Sequence, residues 1–280
     1  MRKNPYHRFA LVGNPFKETR EKELLHVRQH VDEILDDLLY ATIERSGNSL
    51  VKIVGEPGSG KTEHLLMMYD NARKENAFCR YIGCDSDASL TIKEILAALS
   101  TKKIFKPDYL KRIDKTRKKF SKGDMNVEEM GDAISTALNA YSPCFLLLDD
   151  FDRILTSRVG DDFCSMMQRI LDKTDKGVLI VITAGSDIRE LHGETITLEG
   201  FSDKAVELFV AKRLLKERSI AENIDPLFPF NNESVRKINR YVNGNPEKLL
   251  YVMSGVIDAA IKREVMSIDD EFVSMVLRRL

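Results

Sequence analysis

Residues 55–62 read Gly55-Glu56-Pro57-Gly58-Ser59-Gly60-Lys61-Thr62, a loop with the spacing G-x-x-x-x-G-K-[ST]. The apolar run Leu50–Val54 precedes this loop, and a stretch of helical composition, Glu63–Arg73, follows it. Glycines let backbone N–H groups curl around an anion, and the start of the next helix directs partial positive charge at the same place. In this setting the motif predicts a nucleotide site, with Lys61 on the β- and γ-phosphates and the Thr62 hydroxyl on Mg²⁺.

Short β-rich runs alternate with helical stretches from about residue 48 to residue 198, which is the pattern of βα units around a parallel sheet. The predicted strands are Leu50–Val54, Phe78–Cys84, Cys144–Leu148, Val178–Thr183 and Thr195–Leu198. Runs that are apolar throughout indicate strands covered on both faces. The sequence therefore predicts an α/β fold, a P-loop NTPase three-layer αβα domain with a parallel five-stranded sheet.

Helices replace strands after Gly200. The predicted helices are Ser202–Glu217, Asn232–Val242, Pro246–Lys262 and Ser267–Arg279, with Ser202 and Ser267 as N-caps. Before the first strand, apolar residues at helical spacing predict one long helix over Thr19–Arg45. We therefore expect residues 1–48 as an N-terminal segment and long helix within the ATPase domain, residues 49–199 as the P-loop core, and residues 200–280 as a small all-helical lid domain.

Two acids follow the apolar run Phe145–Leu148, namely Asp149 and Asp150. Ligands of open α/β sheets bind at the carboxyl ends of the strands, so this run delivers both carboxylates to the expected nucleotide edge. Asp149 is the predicted metal ligand together with Thr62. Asp150 occupies the position of the general base that orients the attacking water.

Over most of its length the chain resembles the AAA+ ATPases, in which a polar sensor residue ends the fourth strand and a helical lid follows. Thr183 matches the sensor position, with Ser186 as the alternative. Within AAA+, the residues Asn14-Pro15-Phe16 and Arg20-Glu21-Lys22-Glu23-Leu24 resemble an element of the origin-recognition/initiator clade, with relatives in transposon-encoded AAA+ target selectors and STAND ATPases. This resemblance implies that Pro15 and Phe16 contact the adenine; alternatively, Phe16 only packs against the start of the long helix.

The chain departs from the AAA+ pattern at two positions. The usual acidic pair is Asp-Glu, whereas Asp150 is one methylene shorter at the base, and geometry of this kind affects the rate strongly. The lid reads Gly244-Asn245-Pro246-Glu247-Lys248 where initiators commonly present Gly-x-x-Arg. Glu247 thus stands in place of the sensor arginine, and Lys248, a point charge instead of a planar fork, is the available substitute. Both departures favour slow hydrolysis with ATP as an assembly switch.

The resemblance also implies a homo-oligomer, because a neighbour's arginine completes each AAA+ active site. Arg189 lies in the expected region, and Arg153, Arg158 and Arg169 are competitors. The predicted catalytic residues are Lys61, Asp150, Thr183 and Arg189. The predicted contacts to ATP are Pro15, Phe16, Glu56, Pro57, Gly58, Ser59, Gly60, Lys61, Thr62, Glu63 and Lys248.

Charge is balanced overall, since 43 Lys and Arg stand against 44 Asp and Glu, but it is concentrated in one segment. Lys102–Lys122 contains ten basic and two acidic residues, a net +8 in a chain of −1. The balance excludes a uniformly basic nucleic-acid coat, whereas this local segment, between the second and third strands, predicts contact with the phosphate backbone of DNA. A solvated basic helix is the alternative interpretation.

The four cysteines are too few for a disulfide scaffold in 280 residues, and no apolar run approaches the length of a membrane span. We therefore expect a cytoplasmic protein with reduced thiols and no membrane partner. The leading hypothesis is an ATP-binding AAA+ switch that oligomerises with ATP and Mg²⁺ on DNA and regulates an effector protein. The alternative is a STAND-like signalling or defence NTPase that controls a partner enzyme without nucleic acid, and a clamp-loader-like or chaperone motor is a third, weaker option.

Overall fold

The computed structural model describes residues 4–279 except 18, 20–26, 46, 101–110, 112–114, 116–117, 120–126, 140, 142, 157–159, 176 and 220–223. Contacts divide the chain into two compact units. The α/β unit comprises His30–Glu56 and Lys61–Leu198. The helical unit comprises Met1–Gln29, Pro57–Gly60 and Glu199–Leu280.

Five parallel strands form the sheet of the α/β unit, in the spatial order β2-β3-β4-β1-β5. The strands are β1 (Ser49–Val54), β2 (Phe78–Gly83), β3 (Cys144–Asp149), β4 (Val178–Ala184) and β5 (Glu194–Thr197). The described helices of this unit are α1 (His30–Arg45), α2 (Lys61–Lys74), α3 (Ala88–Ser100), α4 (Val127–Leu138), α5 (Asp152–Leu155) and α6 (Gly160–Lys173). The predicted parallel sheet is confirmed, and each predicted strand end lies within one residue of the observed end.

Helices cover both faces of this sheet, because alternate residues of each strand enter two separate apolar clusters. One cluster joins Leu50 and Leu146 to α3, α4 and α6. The other joins Val51 and Leu147 to α1 and α2. Burial on both faces explains why β3 and β4 are apolar almost throughout, and it confirms the three-layer αβα architecture.

The described α-helices of the helical unit are α7 (Asp203–Lys216), α8 (Asn232–Tyr241), α9 (Pro246–Lys262) and α10 (Asp270–Leu277). The Ser202 side chain caps α7 as predicted, accepting from the backbone N–H of Ala205. The predicted cap of the last helix is wrong: Asp269, not Ser267, accepts from Phe272 N at 2.8 Å. Ile268 N donates to the carbonyl of Pro229, which holds this part of the chain extended and delays the start of the helix.

The N-terminal residues differ from the expected long helix and the expected domain boundary. Helix α1 begins at His30, and residues 27–29 are not helical, while the predicted stretch 20–26 lies outside the described residues. Contacts place Met1–Gln29 in the helical unit instead of the α/β unit. The physical reason is burial, because Phe9, Leu11 and Val27 belong to the apolar cluster formed by α7–α10.

All four cysteines are buried free thiols, as expected. Burial raises the pKa of Cys79 to about 12 and that of Cys164 to about 11, so both thiols stay protonated at neutral pH. Among the helices that the structure describes, none is both long enough and apolar enough for a membrane span.

Arg213 fastens the N-terminal segment to α7 inside the helical unit. Its side chain is 1% exposed, and Nη1 donates to the carbonyls of Pro15 and Lys17, each at 3.1 Å. Burial lowers the pKa of its guanidinium to about 10. The guanidinium also lies over the ring of Phe209.

We expect Arg213→Ala to lower the free energy of unfolding by about 3 kcal/mol, because it leaves two carbonyls without their donor and opens a cavity. Lys212→Ala changes the exposed neighbour on the same helix and should cost less than about 0.5 kcal/mol. Urea unfolding followed by circular dichroism measures both variants. Equal effects of the two would contradict the fastening role of Arg213.

Candidate functional site

The loop 55–62 adopts the backbone that its glycines predict. Gly58 and Gly60 have φ angles of +78° and +96°, a region that L side chains rarely adopt. Lys61 begins α2, and its Nζ folds back to donate to the carbonyls of Gly55 at 2.7 Å and Glu56 at 3.0 Å. Backbone amides, a helix N-terminus and an ammonium group in one short segment fit the phosphates of a nucleotide.

The carboxylate of Asp149 ends β3 beside the first turn of α2. Thr62 Oγ1 donates to Asp149 Oδ2 at 2.8 Å, and Tyr81 OH donates to the same oxygen at 2.6 Å. Asp149 is 5% exposed. Hydroxyl and carboxylate oxygens are the ligands that Mg²⁺ prefers, so Thr62 and Asp149 are suited to hold it, and their role as metal ligands stays a prediction.

Tyr81 is a member of this cluster that the sequence reasoning missed. It lies on β2 opposite Leu147, and Gly83 lies opposite Asp149, so Tyr81 and Asp149 face the same side of the sheet. Burial and the hydrogen bond to Asp149 raise the pKa of the Tyr81 hydroxyl above its usual value. The phenol therefore stays protonated and acts as a donor at neutral pH.

Thr183 links the two acids. Its Oγ1 donates to Asp149 Oδ1 at 2.5 Å and accepts from the backbone N–H of Asp150 at 2.9 Å. Thr183 is fully buried, whereas the alternative, Ser186, is exposed in the turn that follows β4. The structure thus brings Thr183 to the acids, and its role as a sensor stays a prediction.

Asp150 has a left-handed backbone, with φ of +55°. Such a conformation in a residue other than glycine costs on the order of 1 kcal/mol and is common at functional sites. The hydrogen bond from its N–H to Thr183 holds it there. Its carboxylate is half exposed and forms an ion pair with Arg153, Oδ2 to Nη2 at 3.0 Å.

The candidate arginines differ in their partners. Arg153 is paired with Asp150, and Arg169 donates to both carboxylate oxygens of Asp132 at 2.8 and 2.9 Å, lowering the pKa of Asp132. Arg189 is exposed in the turn after β4, and within the described part of the chain it has no hydrogen bond or ion pair. The fourth candidate, Arg158, lies outside the described residues.

His64 follows the loop in the first turn of α2, but its side chain points to α1. Its Nδ1 lies 2.5 Å from Asp32 Oδ1, and both residues are almost completely buried. This pair joins the helix that carries Lys61 and Thr62 to the long helix before the sheet.

Within the helical unit, the predicted adenine contacts are part of the core. Phe16 is 3% exposed and its ring meets Phe230 edge-on, with centroids 5.8 Å apart. The carbonyl of Pro15 accepts from Arg213. A contact of Pro15 or Phe16 with adenine stays a prediction, and the packing agrees with a structural role for Phe16.

The lid motif contacts the tip of the loop, which belongs to the same helical unit. Asn245 Nδ2 donates to the carbonyl of Pro57 at 2.9 Å, and its Oδ1 accepts from Lys248 N at the start of α9. A Cβ at Gly58 would collide with the side chain of Glu247. The acid at position 247 therefore lies against the loop tip, where the resemblance led us to expect an arginine. The sequence analysis quoted Asn245 within the lid motif but assigned it no contact with the loop.

Comparison with known proteins identifies relatives of this arrangement. The sequence profile of the AAA domain family matches residues 43–191, just over half of the chain. No curated protein gives a significant match.

Solved structures similar in fold include a chain of Drosophila ORC bound to DNA, with 18% identity and a TM-score of 0.55 over 91% of this chain and 64% of that one. The Aeropyrum pernix ORC2 protein, in ADPNP and ADP complexes, has 14% identity and a TM-score of 0.55 over 95% of this chain and 71% of that one. A STAND protein with a tetratricopeptide repeat sensor from Pyrococcus horikoshii has 15% identity and a TM-score of 0.55 over 96% of this chain and 34% of that one. The chain thus spans less than two thirds of the Drosophila chain and about a third of the STAND protein.

We expect Thr183→Val to reduce ATP hydrolysis by about 100-fold, because the hydroxyl that orients both acids is lost. Binding of a fluorescent ATP analogue should change little, since Lys61 and the loop are intact. Steady-state phosphate release and equilibrium titration measure the two effects. Ser186→Ala is the matched control and should keep the wild-type rate; if Ser186→Ala is the slower variant, the sensor assignment is reversed.

Proposed function

The chain belongs to the AAA domain family, and we propose that it is an ATP-binding switch that oligomerises with ATP and Mg²⁺ on DNA and regulates an effector protein. The observation that carries this proposal is the contact of Thr62 and Thr183 with Asp149 beside the loop of Lys61. When bound, Mg²⁺ would neutralise charge on the phosphate oxygens. Lys61 would leave its two carbonyl partners to bind phosphate, and Asp150 would orient the attacking water.

Slow hydrolysis is supported by three features of the chain. Asp150 is shorter than the usual glutamate, and its carboxylate is paired with Arg153. Glu247 places a negative charge at the loop tip, where an arginine would stabilise phosphate. Lys248, the next residue, is a point charge and not the planar fork of an arginine. A slow site lets bound ATP maintain an assembled state long enough to act as a signal.

Oligomerisation is supported by the state of Arg189. An exposed guanidinium without a partner among the described residues is free to reach the nucleotide of a neighbouring copy, whereas Arg153 and Arg169 are already paired. An arginine supplied by another chain can raise phosphoryl-transfer rates by several orders of magnitude. A lone copy should therefore hydrolyse ATP poorly.

DNA binding is supported by the basic segment Lys102–Lys122. Most of it lies outside the described residues, but Lys111, Lys115, Lys118 and Lys119 are described, helical and exposed. Exposed lysines that lie close together in the sequence can neutralise several phosphates. The Drosophila ORC chain of similar fold is bound to DNA, which is consistent with this part of the proposal.

A second candidate function is that of a STAND-like signalling or defence NTPase that controls a partner enzyme without nucleic acid. The observation that favours it is the lid sequence Gly244-Asn245-Pro246, because the lids of the STAND ATPases that the chain resembles often carry the pattern G-x-P. The two candidates share ATP-driven assembly and differ in their need for DNA.

We expect ATP or a non-hydrolysable analogue, with Mg²⁺, to shift the protein from small species to a large assembly. Lys61→Ala should abolish nucleotide binding and assembly, because the phosphates lose their cation. Asp150→Asn should keep both while reducing hydrolysis by about 100-fold or more. Mass photometry and phosphate release measure these effects, with ADP as the control nucleotide. An unchanged mass with the analogue would overturn the switch.

For DNA, we expect binding that weakens steeply as salt rises. Replacing Lys111, Lys115, Lys118 and Lys119 with alanine should flatten the slope of log K against log salt by about 3 to 4 units. The control replaces four exposed lysines elsewhere, namely Lys93, Lys173, Lys212 and Lys262. Fluorescence anisotropy of a labelled duplex measures the slope. Absence of binding by the ATP-bound wild type would favour the STAND-like candidate.

A further inference from the structure

Lys52 is a buried charge in the middle of β1. Its residue is 4% exposed, and the neighbours that share its face of the strand, Leu50 and Val54, belong to the apolar core. The ammonium group is satisfied by three acceptors: the carbonyls of Ile188 and Leu191, each at 3.1 Å, and Asp187 Oδ1 at 2.7 Å. A buried ammonium is costly unless its N–H groups find partners of this kind.

All three acceptors belong to the turn that joins β4 to β5. Ile188 and Leu191 stand on either side of the tip residues Arg189 and Glu190, and Leu191 N donates to the carbonyl of Ile188 to close the turn. Lys52 therefore binds the residues on both sides of the tip, while the tip itself is exposed.

We call the contacts of Lys52 with Asp187, Ile188 and Leu191 the clamp. The side chain of Asp187 connects the clamp to β5, the strand at the edge of the sheet. Its Oδ1 also accepts from Thr195 Oγ1 at 3.0 Å, and Thr195 lies opposite Lys52 in the register of β1 and β5. The hydrogen bonds from Lys52 and Thr195 lower the pKa of the Asp187 carboxyl, so it is ionised at neutral pH. Two strands and one turn are thus joined at a single carboxylate.

We infer that Lys52 is a positioning residue for Arg189. Its hydrogen bonds to the carbonyls on both sides of the tip fix the orientation in which Arg189 reaches the nucleotide of a neighbouring copy. The inference rests on the proposed function, which assigns Arg189 that role. A fixed turn matters because an unpaired arginine on a mobile tip would spend little time in the productive geometry. An apolar residue at position 52 would fill the strand equally well but would leave the two carbonyls without a donor.

The test is complementation between subunits. Lys52→Met removes the donors at similar length, and Asp187→Ala breaks the same clamp from an exposed position, so it tests the idea if the first variant folds poorly. We expect both variants to bind a fluorescent ATP analogue like wild type and to hydrolyse ATP at least about tenfold more slowly. Each should recover hydrolysis when mixed with Asp150→Asn subunits, which keep the clamp and Arg189 but hydrolyse ATP about 100-fold or more slowly themselves.

Arg189→Ala mixed with Asp150→Asn is the reference, and the clamp variants should recover to the same level. A wild-type rate for either clamp variant alone would overturn the inference. If the reference mixture recovers and the clamp mixtures stay slow, the variants damage their own site and the inference alone fails. If the reference mixture itself stays slow, the trans role of Arg189 in the proposed function fails, and the inference with it.

Discussion

The site depends on the hydrogen bonds that three side chains donate to the carboxylate of Asp149. It accepts from Thr62, Tyr81 and Thr183, which belong to α2, β2 and β4. A buried carboxylate needs such donors, and two of the three, Tyr81 and Thr183, lie on strands of the sheet. The buried apolar strands bring these polar groups together, because parallel strands end at one edge and carry their last side chains there.

The backbone conformation of Asp150 depends on the same group of contacts. Its left-handed backbone is held by the hydroxyl of Thr183, so a strained conformation depends on a neighbouring strand. The carboxylate of Asp150 is half exposed, unlike that of Asp149, and it pairs with Arg153. The ion pair holds one carboxylate oxygen of Asp150, Oδ2, on Arg153, which agrees with the slow hydrolysis proposed above.

Much of the fold was predictable from the sequence, because strand runs, the glycine loop and the pair Asp149-Asp150 are local patterns. Contacts between residues far apart were not. The burial of Phe16 in the helical unit and the hydroxyl of Tyr81 on Asp149 depend on packing and strand register, which no local pattern encodes. Lys52 did leave a signal, since a charged residue inside an apolar strand needs a partner, but the sequence does not show that its partners lie about 135 residues further along the chain.

The turn after β4 connects Thr183 and Arg189, the two residues to which the proposed switch assigns roles in different copies. Thr183 contacts the acids of its own site, and six residues later Arg189 faces outward, with the intervening turn held by Lys52 and Asp187. Because Lys52 lies on β1, its hydrogen bonds fix the turn to that strand and limit how far the tip with Arg189 can move. The contact to the acids and the arginine proposed for a neighbouring copy thus lie on one short segment held by β1. If Arg189 acts on a neighbouring copy as proposed, the sensor of one site and the arginine offered to the next site would therefore be connected through β4 and the turn that follows it.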